Sequence, residues 1–142
     1  MKIVIGADHG GFELKETIKD TLLQRDYNII DVGCSSVDSV DYPDFSDQVV
    51  SHIVNGTCNK GILICGTGIG MSIAANRDRR IRAANVHNLF TARMSREHNN
   101  ANILCLGARV LETALALELV SVWLDTEFTG GRHQIRIDKF SE

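Results

Sequence analysis

Short apolar runs alternate with helical patterns along most of the chain. Five of these runs are nearly continuous in apolar residues, and each is followed by a polar or glycine-rich turn and then by a helical segment. That alternation is typical of strands buried on both faces of a parallel sheet. The predicted strands are Lys2–Gly6, Asn28–Gly33, Gly61–Cys65, Ile81–Val86 and Asn102–Gly107.

Two helical segments indicate how such a sheet is covered. In the first, Leu14, Ile18 and Leu22 recur every four residues, so that one face is apolar and the other is charged. The helix from about Leu111 to Asp125 is apolar on two sides, which predicts a homo-oligomer interface; a second layer within the chain is the alternative. We therefore expect an α/β fold, a single-domain Rossmann-like three-layer sandwich with a five-stranded parallel sheet and a C-terminal helix.

Length and charge restrict the function classes. With 142 residues and one proline the chain matches one domain over residues 1–142, long enough to bury a core without disulfides or a metal. The net charge of -3 and the absence of a Lys/Arg cluster argue against nucleic-acid binding. No apolar run approaches the length of a membrane span, and the four cysteines stand apart from one another. We therefore expect a cytoplasmic protein with reduced thiols and no membrane contact.

The strongest chemical signal is the segment from Ile62 to Gly70, in which an apolar strand ends in Cys65 and three alternating glycines open a helix. Glycines let the backbone turn with its N–H groups outward, and a helix N-terminus adds positive potential, so the segment predicts a thiol beside an anion hole. Met71 stands where a dinucleotide fingerprint needs a small residue and where a cysteine phosphatase needs Arg, and the Gly-Lys-Ser/Thr of a P-loop is absent. For Cys65 alone, the alternative is a small buried apolar residue.

Further polar residues lie beside the other strands or near the C-terminus. Ligands of parallel sheets bind beyond the carboxyl ends of the strands, so residues directly after each strand are informative. Each has a plain alternative as a helix cap, a packed neighbour or a solvated surface residue. Together with Cys65 they suit acid/base chemistry on a small phosphorylated molecule. The candidates are Asp8 and His9 after the first strand, Tyr42 after the second, Arg109 after the fifth, His98 and Asn99 in a predicted turn before the fifth, and Arg132 with Arg136 at helical i,i+4 spacing.

Five segments make the whole chain resemble the type B ribose-5-phosphate isomerases, a family that includes galactose-6-phosphate and allose-6-phosphate isomerases. The segments are Gly6–Gly10, Asp41–Pro43, Ile64–Gly70, Glu97–Asn100 and Gly130–Arg136. The resemblance implies that the protein opens the ring of an aldose phosphate, removes the C2 proton and returns it at C1 through a cis-enediolate. It implies no metal and no organic cofactor.

The same resemblance implies a role for each candidate residue. Cys65 is the base, and His98 opens the ring with Asp8 as its polar partner. Thr67 and the backbone amides of its loop hold the enediolate oxygens. The loop amides are those of Gly66, Gly68, Ile69 and Gly70, the sugar contacts are Asn99 and Tyr42, and the phosphate ligands are His9, Arg109, Arg132 and Arg136.

Two departures within the family help to place the chain. One branch lacks the cysteine and has Glu at the position of Met71, so Cys65 indicates the thiol branch. The galactose-6-phosphate enzymes divide the motifs between two different subunits, whereas this chain carries both sets. We therefore expect a homodimer or tetramer whose sites are completed across the interface, with ribose 5-phosphate as substrate. The alternatives are a six-carbon sugar phosphate, namely allose 6-phosphate or galactose 6-phosphate, and a catalytically silent sugar-phosphate sensor.

Overall fold

The computed structural model describes residues 1–141 and contains one sheet of five parallel strands. Their order across the sheet is β2-β1-β3-β5-β4, and each neighbouring pair is parallel. The predicted α/β fold with a five-stranded parallel sheet is therefore confirmed. The strands are β1 (Lys2–Ala7), β2 (Asn28–Asp31), β3 (Lys60–Cys65), β4 (Ala83–Asn85) and β5 (Ile103–Gly107).

Six helices accompany the sheet in this part of the chain. Buried side chains of α2 and α3 pack on one face, and those of α1, α4 and α5 pack on the other. The three layers match the predicted sandwich, and a short helix, α6, lies near the C-terminus as predicted. The helices are α1 (Phe12–Gln24), α2 (Tyr42–Val54), α3 (Ile69–Ala75), α4 (Leu89–Glu97), α5 (Thr113–Asp125) and α6 (Arg132–Ile137).

The central strand β3 shows how the core positions a functional side chain. Its residues are buried throughout, and successive side chains face opposite sides of the sheet. Ile62 and Ile64 pack into the cluster that contains α1 and α5, whereas Leu63 and Cys65 pack into the cluster that contains α2 and α3. Cys65 therefore faces the α2/α3 layer at the carboxyl end of the sheet.

Helix α5 is covered within the chain, so its two apolar sides do not by themselves require a partner. It packs against α1, α4 and β5. Leu119, Val120 and Leu124, which belong to different apolar stripes, are 0%, 2% and 4% exposed. A helix lying between two others and the sheet buries more than one side. The structure thus shows the second intrachain layer, and the interface predicted from α5 stays a prediction.

The strand boundaries differ most at β4, which has three residues instead of the six predicted. Two backbone amides at the start of β4 donate to asparagine side chains and not to the backbone of a neighbouring strand. Asn102 Oδ1 accepts from the Arg82 amide at 2.8 Å, and Asn76 Oδ1 accepts from the Ala83 amide at 2.8 Å. Side-chain to backbone bonds of this kind compete with regular pairing at an edge strand.

Helices α1, α2 and α5 have thirteen residues each. Among residues 1–141 no helix combines the length and the apolar character needed to cross a membrane.

Candidate active site

Cys65 forms the floor of a loop at the carboxyl end of β3. It is 5% exposed, and its Sγ accepts a hydrogen bond from the Gly68 amide at 3.1 Å. The loop therefore curls back over the sulfur before α3 begins. Gly68 allows this turn because its φ is +80°, a left-handed value that favours glycine.

Other groups of the loop are engaged with one another. Thr67 Oγ1 accepts from the Ile69 amide at 3.2 Å, so one further amide of the expected anion hole is used within the loop. Gly107, at the end of β5, lies directly beneath: a Cβ added there would be 2.6 Å from the Thr67 carbonyl oxygen. Because the backbones of Gly107 and Thr67 are in contact at this point, only glycine fits. The end of β5 therefore determines how closely the loop approaches the sheet.

Asp8 and His9 lie at the carboxyl end of β1, next to β3. Asp8 is 8% exposed, and its Oδ1 accepts from the amides of Gly10 and Gly11 at 2.9 and 3.2 Å. Its carboxylate thus caps the short 3₁₀ turn before α1, the plain alternative for this residue. His9 Nδ1 accepts from the Val40 amide at 3.2 Å, so a neutral ring carries its proton on Nε2, free to donate.

Arg109 and Tyr42 border the same loop. A Cβ added at Gly66 would lie 3.0 Å from Arg109 Nη1, and one added at Gly10 would lie 3.4 Å from Nη2. The guanidinium therefore spans the β1 and β3 turns. A Cβ at Gly70 would lie 2.8 Å from Tyr42 Cζ, so the phenol ring packs directly against the backbone of Gly70 in the first turn of α3. These residues complete what we call the thiol cluster: Asp8, His9, Tyr42, Cys65–Gly70 and Arg109.

A second group of candidates forms around the end of α4. His98 caps this helix, and its ring stacks on His133 with centroids 4.2 Å apart and planes at 14°. Arg132 and Arg136 lie one turn apart on α6 and are both exposed. Asn100 has φ +46°, which confirms the turn predicted from the paired asparagines. We call His98, Asn99, Arg132, His133 and Arg136 the histidine cluster.

The two clusters lie at opposite ends of the sheet. Helix α4 starts after the carboxyl end of β4 and returns to the amino end of β5, so His98 precedes the first residue of β5 by five positions. Cys65 pairs with Gly107 at the other end of that strand. Five residues at about 3.3 Å each separate these ends by roughly 16 Å. One chain therefore does not bring His98, Asn99, Arg132 or Arg136 to the thiol.

Burial shifts the pKa values of three cysteine thiols and of one histidine of the histidine cluster. Burial raises the pKa values of the thiols of Cys34, Cys58 and Cys105, which therefore behave as small apolar groups. Burial, followed by the neighbouring His98 ring, lowers the pKa of His133. The stacked pair thus favours a neutral His133. Among residues 1–141, no group of three or more His, Cys, Asp or Glu side chains is placed to hold a metal ion.

Asn85 borders the thiol cluster and His133 lies in the histidine cluster, although the sequence patterns do not indicate either of them. Asn85 Nδ2 lies 3.4 Å from the Thr67 carbonyl oxygen, and its Oδ1 lies against Gly68. The sequence predicts that β4 continues to Val86, which places Asn85 inside the strand. In the structure β4 ends at Asn85, so this side chain lies at the carboxyl edge of the sheet, where ligands of parallel sheets bind. His133 lies inside a quoted motif, but no pattern predicts its stack on His98.

A family model described as Ribose/Galactose Isomerase matches residues 3–140. The chain belongs to this family of isomerases. Its structure superimposes on ribose-5-phosphate isomerase B of Clostridium thermocellum with a TM-score of 0.97 and 55% identity, covering 98% of this chain and 94% of the other. The predicted family resemblance is thereby confirmed.

Two further relatives bear on the substrate. Ribose-5-phosphate isomerase B of Mycoplasma genitalium, solved with bound ribulose 5-phosphate, is 41% identical with a TM-score of 0.93, covering 97% of this chain and 92% of that one. D-erythrulose-4-phosphate isomerase of Pectobacterium atrosepticum is 41% identical over 98% of this chain and 92% of its own length.

Proposed function

We propose that this isomerase interconverts ribose 5-phosphate and ribulose 5-phosphate, with Cys65 as the base. The observation that carries the proposal is the thiol cluster itself: a buried sulfur held under a glycine loop, with the Arg109 guanidinium and the His9 ring at its border. Similarity to a ribose-5-phosphate isomerase solved with its ketose product supports the choice of a pentose phosphate.

In the proposed reaction Cys65, as thiolate, takes the proton from C2 of the open-chain aldose. The electron pair left behind forms the C1–C2 double bond, and the C1 carbonyl oxygen becomes an enediolate oxygen. Thr67 and amides of the loop from Gly66 to Gly70 stabilise that charge. The proton then returns from sulfur to C1, while the hydroxyl proton moves from O2 to O1, which leaves the C2 carbonyl of ribulose 5-phosphate.

Binding and ring opening use the remaining candidates. His98 protonates the ring oxygen, with Asp8 as a polar partner, and Asn99 with Tyr42 contacts the sugar hydroxyls. A phosphate carries about -1.5 to -2 charges at neutral pH and needs several donors. The proposed phosphate ligands are His9, Arg109, Arg132 and Arg136.

This assignment requires two copies of the chain, because the thiol and histidine clusters lie at opposite ends of one sheet. A homodimer that places the amino end of one sheet against the carboxyl end of the other completes both sites. Exposed apolar side chains flank each cluster and are suited to such an interface. They are Ile69 within the thiol cluster, Ile73, Phe90 and Val110 in segments that follow the carboxyl ends of β3, β4 and β5, and Ile135 and Phe140 in or just after α6.

Mixing two inactive variants tests the shared site. In a mixed dimer of Cys65→Ala and His98→Asn chains, one site carries both changes and the other carries none. Random reassortment makes about half of the dimers mixed, so about a quarter of wild-type activity on ribose 5-phosphate returns. If each site belonged to one chain, every site would carry one change and the mixture would stay inactive.

The chemistry is tested by following ribulose 5-phosphate formation from ribose 5-phosphate. Cys65→Ala should lower kcat by roughly 10²–10⁴, the usual contribution of a positioned acid or base. Cys58→Ala is the matched control, since Cys58 is a buried cysteine near the opposite end of β3 and should leave kcat near the wild-type value. Wild-type turnover in the Cys65 variant would refute its role as base.

The same assay separates the substrates. Faster turnover of allose 6-phosphate than of ribose 5-phosphate would assign the protein to six-carbon sugars. Binding without turnover of either sugar would make it a sugar-phosphate sensor.

A further inference from the structure

We propose that Arg96 is a positioning residue that holds the histidine cluster together. Arg96 lies in the last turn of α4, two residues before His98, and its side chain is 6% exposed. It does not reach the surface that would face substrate. The loss of activity expected when Arg96 is replaced rests on the proposed function, whereas the expected change in the stacking of His98 on His133 does not.

The guanidinium of Arg96 links two separate parts of the chain. Its Nη1 donates to the Ala101 carbonyl oxygen at 2.6 Å and to Asn100 Oδ1 at 3.0 Å, within the turn after α4. Its Nε donates to the Thr126 carbonyl oxygen at 3.2 Å, at the end of α5. The same group lies 5.7 Å from the centroid of the Trp123 ring.

Two contacts continue from this link toward α6. The Glu97 carbonyl accepts from the Thr129 amide at 3.1 Å, and the His98 ring stacks on His133. Three consecutive residues of one segment, 96 to 98, thus contact successive points of the segment from 126 to 133. We call this row of contacts the latch. It fixes the His98 ring relative to the helix that carries Arg132 and Arg136.

Arginine suits this position because its planar fork presents N–H donors in several fixed directions. The acceptors of its hydrogen bonds are neutral oxygens on both sides of the latch. A lysine retains the charge but offers a single ammonium that cannot span the same acceptors. Position 96 therefore requires the donor geometry of arginine and not its charge alone.

The experiment compares Arg96→Lys with wild type by NMR of the histidine ring protons. Stacked rings shift one another's signals, and the His98 and His133 signals are assigned with His98→Asn and His133→Gln. We expect Arg96→Lys to lose the stacking shift and to lower kcat by about tenfold or more, because small misplacements of a reacting group are costly. Arg93→Lys, an exposed position on the same helix, should change neither quantity.

Asn100 provides a second test that leaves Arg96 in place. Asn100→Gly removes one acceptor while glycine favours the φ of +46°, and Asn100→Asp keeps an acceptor. We expect the stacking shift to weaken in the glycine variant and to persist in the aspartate variant. This pair decides the question if Arg96→Lys does not fold. Unchanged His98 and His133 signals in folded Arg96→Lys or in Asn100→Gly would overturn the proposal, whatever the enzyme's substrate.

Discussion

Lys60 is a buried cation whose removal should stabilise the protein in a pH-dependent way. It is the first residue of β3, is 9% exposed, and lies 5.2 Å from the centroid of the Trp123 ring, on which Arg96 also packs. Its Nζ donates to the Leu124 carbonyl oxygen at 3.4 Å. Burial, and then the nearby Arg96 charge, lowers the pKa of Lys60 from 10.5 to about 8.

The magnitude follows from that difference in pKa. From 10.5 to about 8, at 1.36 kcal/mol for each pH unit, the buried ammonium costs about 3 kcal/mol near neutral pH. Between these two pKa values the unfolded chain holds the proton more tightly than the folded chain does. The free energy of unfolding therefore rises with pH through this window, and the cost is largest below pH 8.

Lys60→Met removes the charge and retains the length of the side chain. The free energy of unfolding of the variant minus that of wild type should shrink by about 2 kcal/mol from about pH 7 to about pH 9.5. Urea unfolding at fixed protein concentration measures it at each pH. Lys139→Met, at an exposed lysine, should give a difference that does not change with pH. A pH-independent difference for Lys60→Met would show that its ammonium is not destabilised by burial.

Three further predictions concern the two clusters. Arg109→Ala should raise KM for ribose 5-phosphate more than it lowers kcat, since phosphate contacts are shared by ground and transition states; steady-state kinetics with an unchanged KM would remove this residue from the phosphate site. Gly107→Ala should destabilise the fold by about 1–3 kcal/mol and lower kcat, because the new methyl group displaces the Thr67 backbone; thermal unfolding and kinetics measure both, and wild-type kcat would contradict it. The pKa of His133 in the folded chain lies below 6.5, so the unfolded chain binds this proton first as the pH falls and the free energy of unfolding decreases below about pH 6.5. The free energy of unfolding of His133→Gln should therefore decrease less between about pH 7 and 5 than that of wild type. The same decrease in both proteins, measured by urea unfolding, would argue against a lowered pKa of His133.

The parallel sheet and the tight glycine turn after Cys65 could be predicted because both depend on patterns that are short along the sequence. Nearly continuous apolar runs mark β1, β3 and β5, and alternating glycines after Cys65 mark a tight turn. The elements that pack on α5 could not be predicted, because periodicity indicates which sides of a helix are apolar and not which element packs against them. The amino-end position of His98 required the observed path of α4 between β4 and β5. The latch depends on contacts between segments about thirty residues apart, and no local pattern encodes those.

The separation of the two clusters has an evolutionary consequence. If sites are assembled from the thiol cluster of one subunit and the histidine cluster of another, each end of the chain is under selection for a different half of the chemistry. After a gene duplication, one copy can lose Cys65 and the other can lose His98 without loss of a working site in the mixed assembly. The surviving heteromer then holds one complete site per pair, and each vacated end is released to acquire a regulatory or binding role. The topology that keeps these residues apart in one chain thus makes division of labour between paralogues accessible by single substitutions.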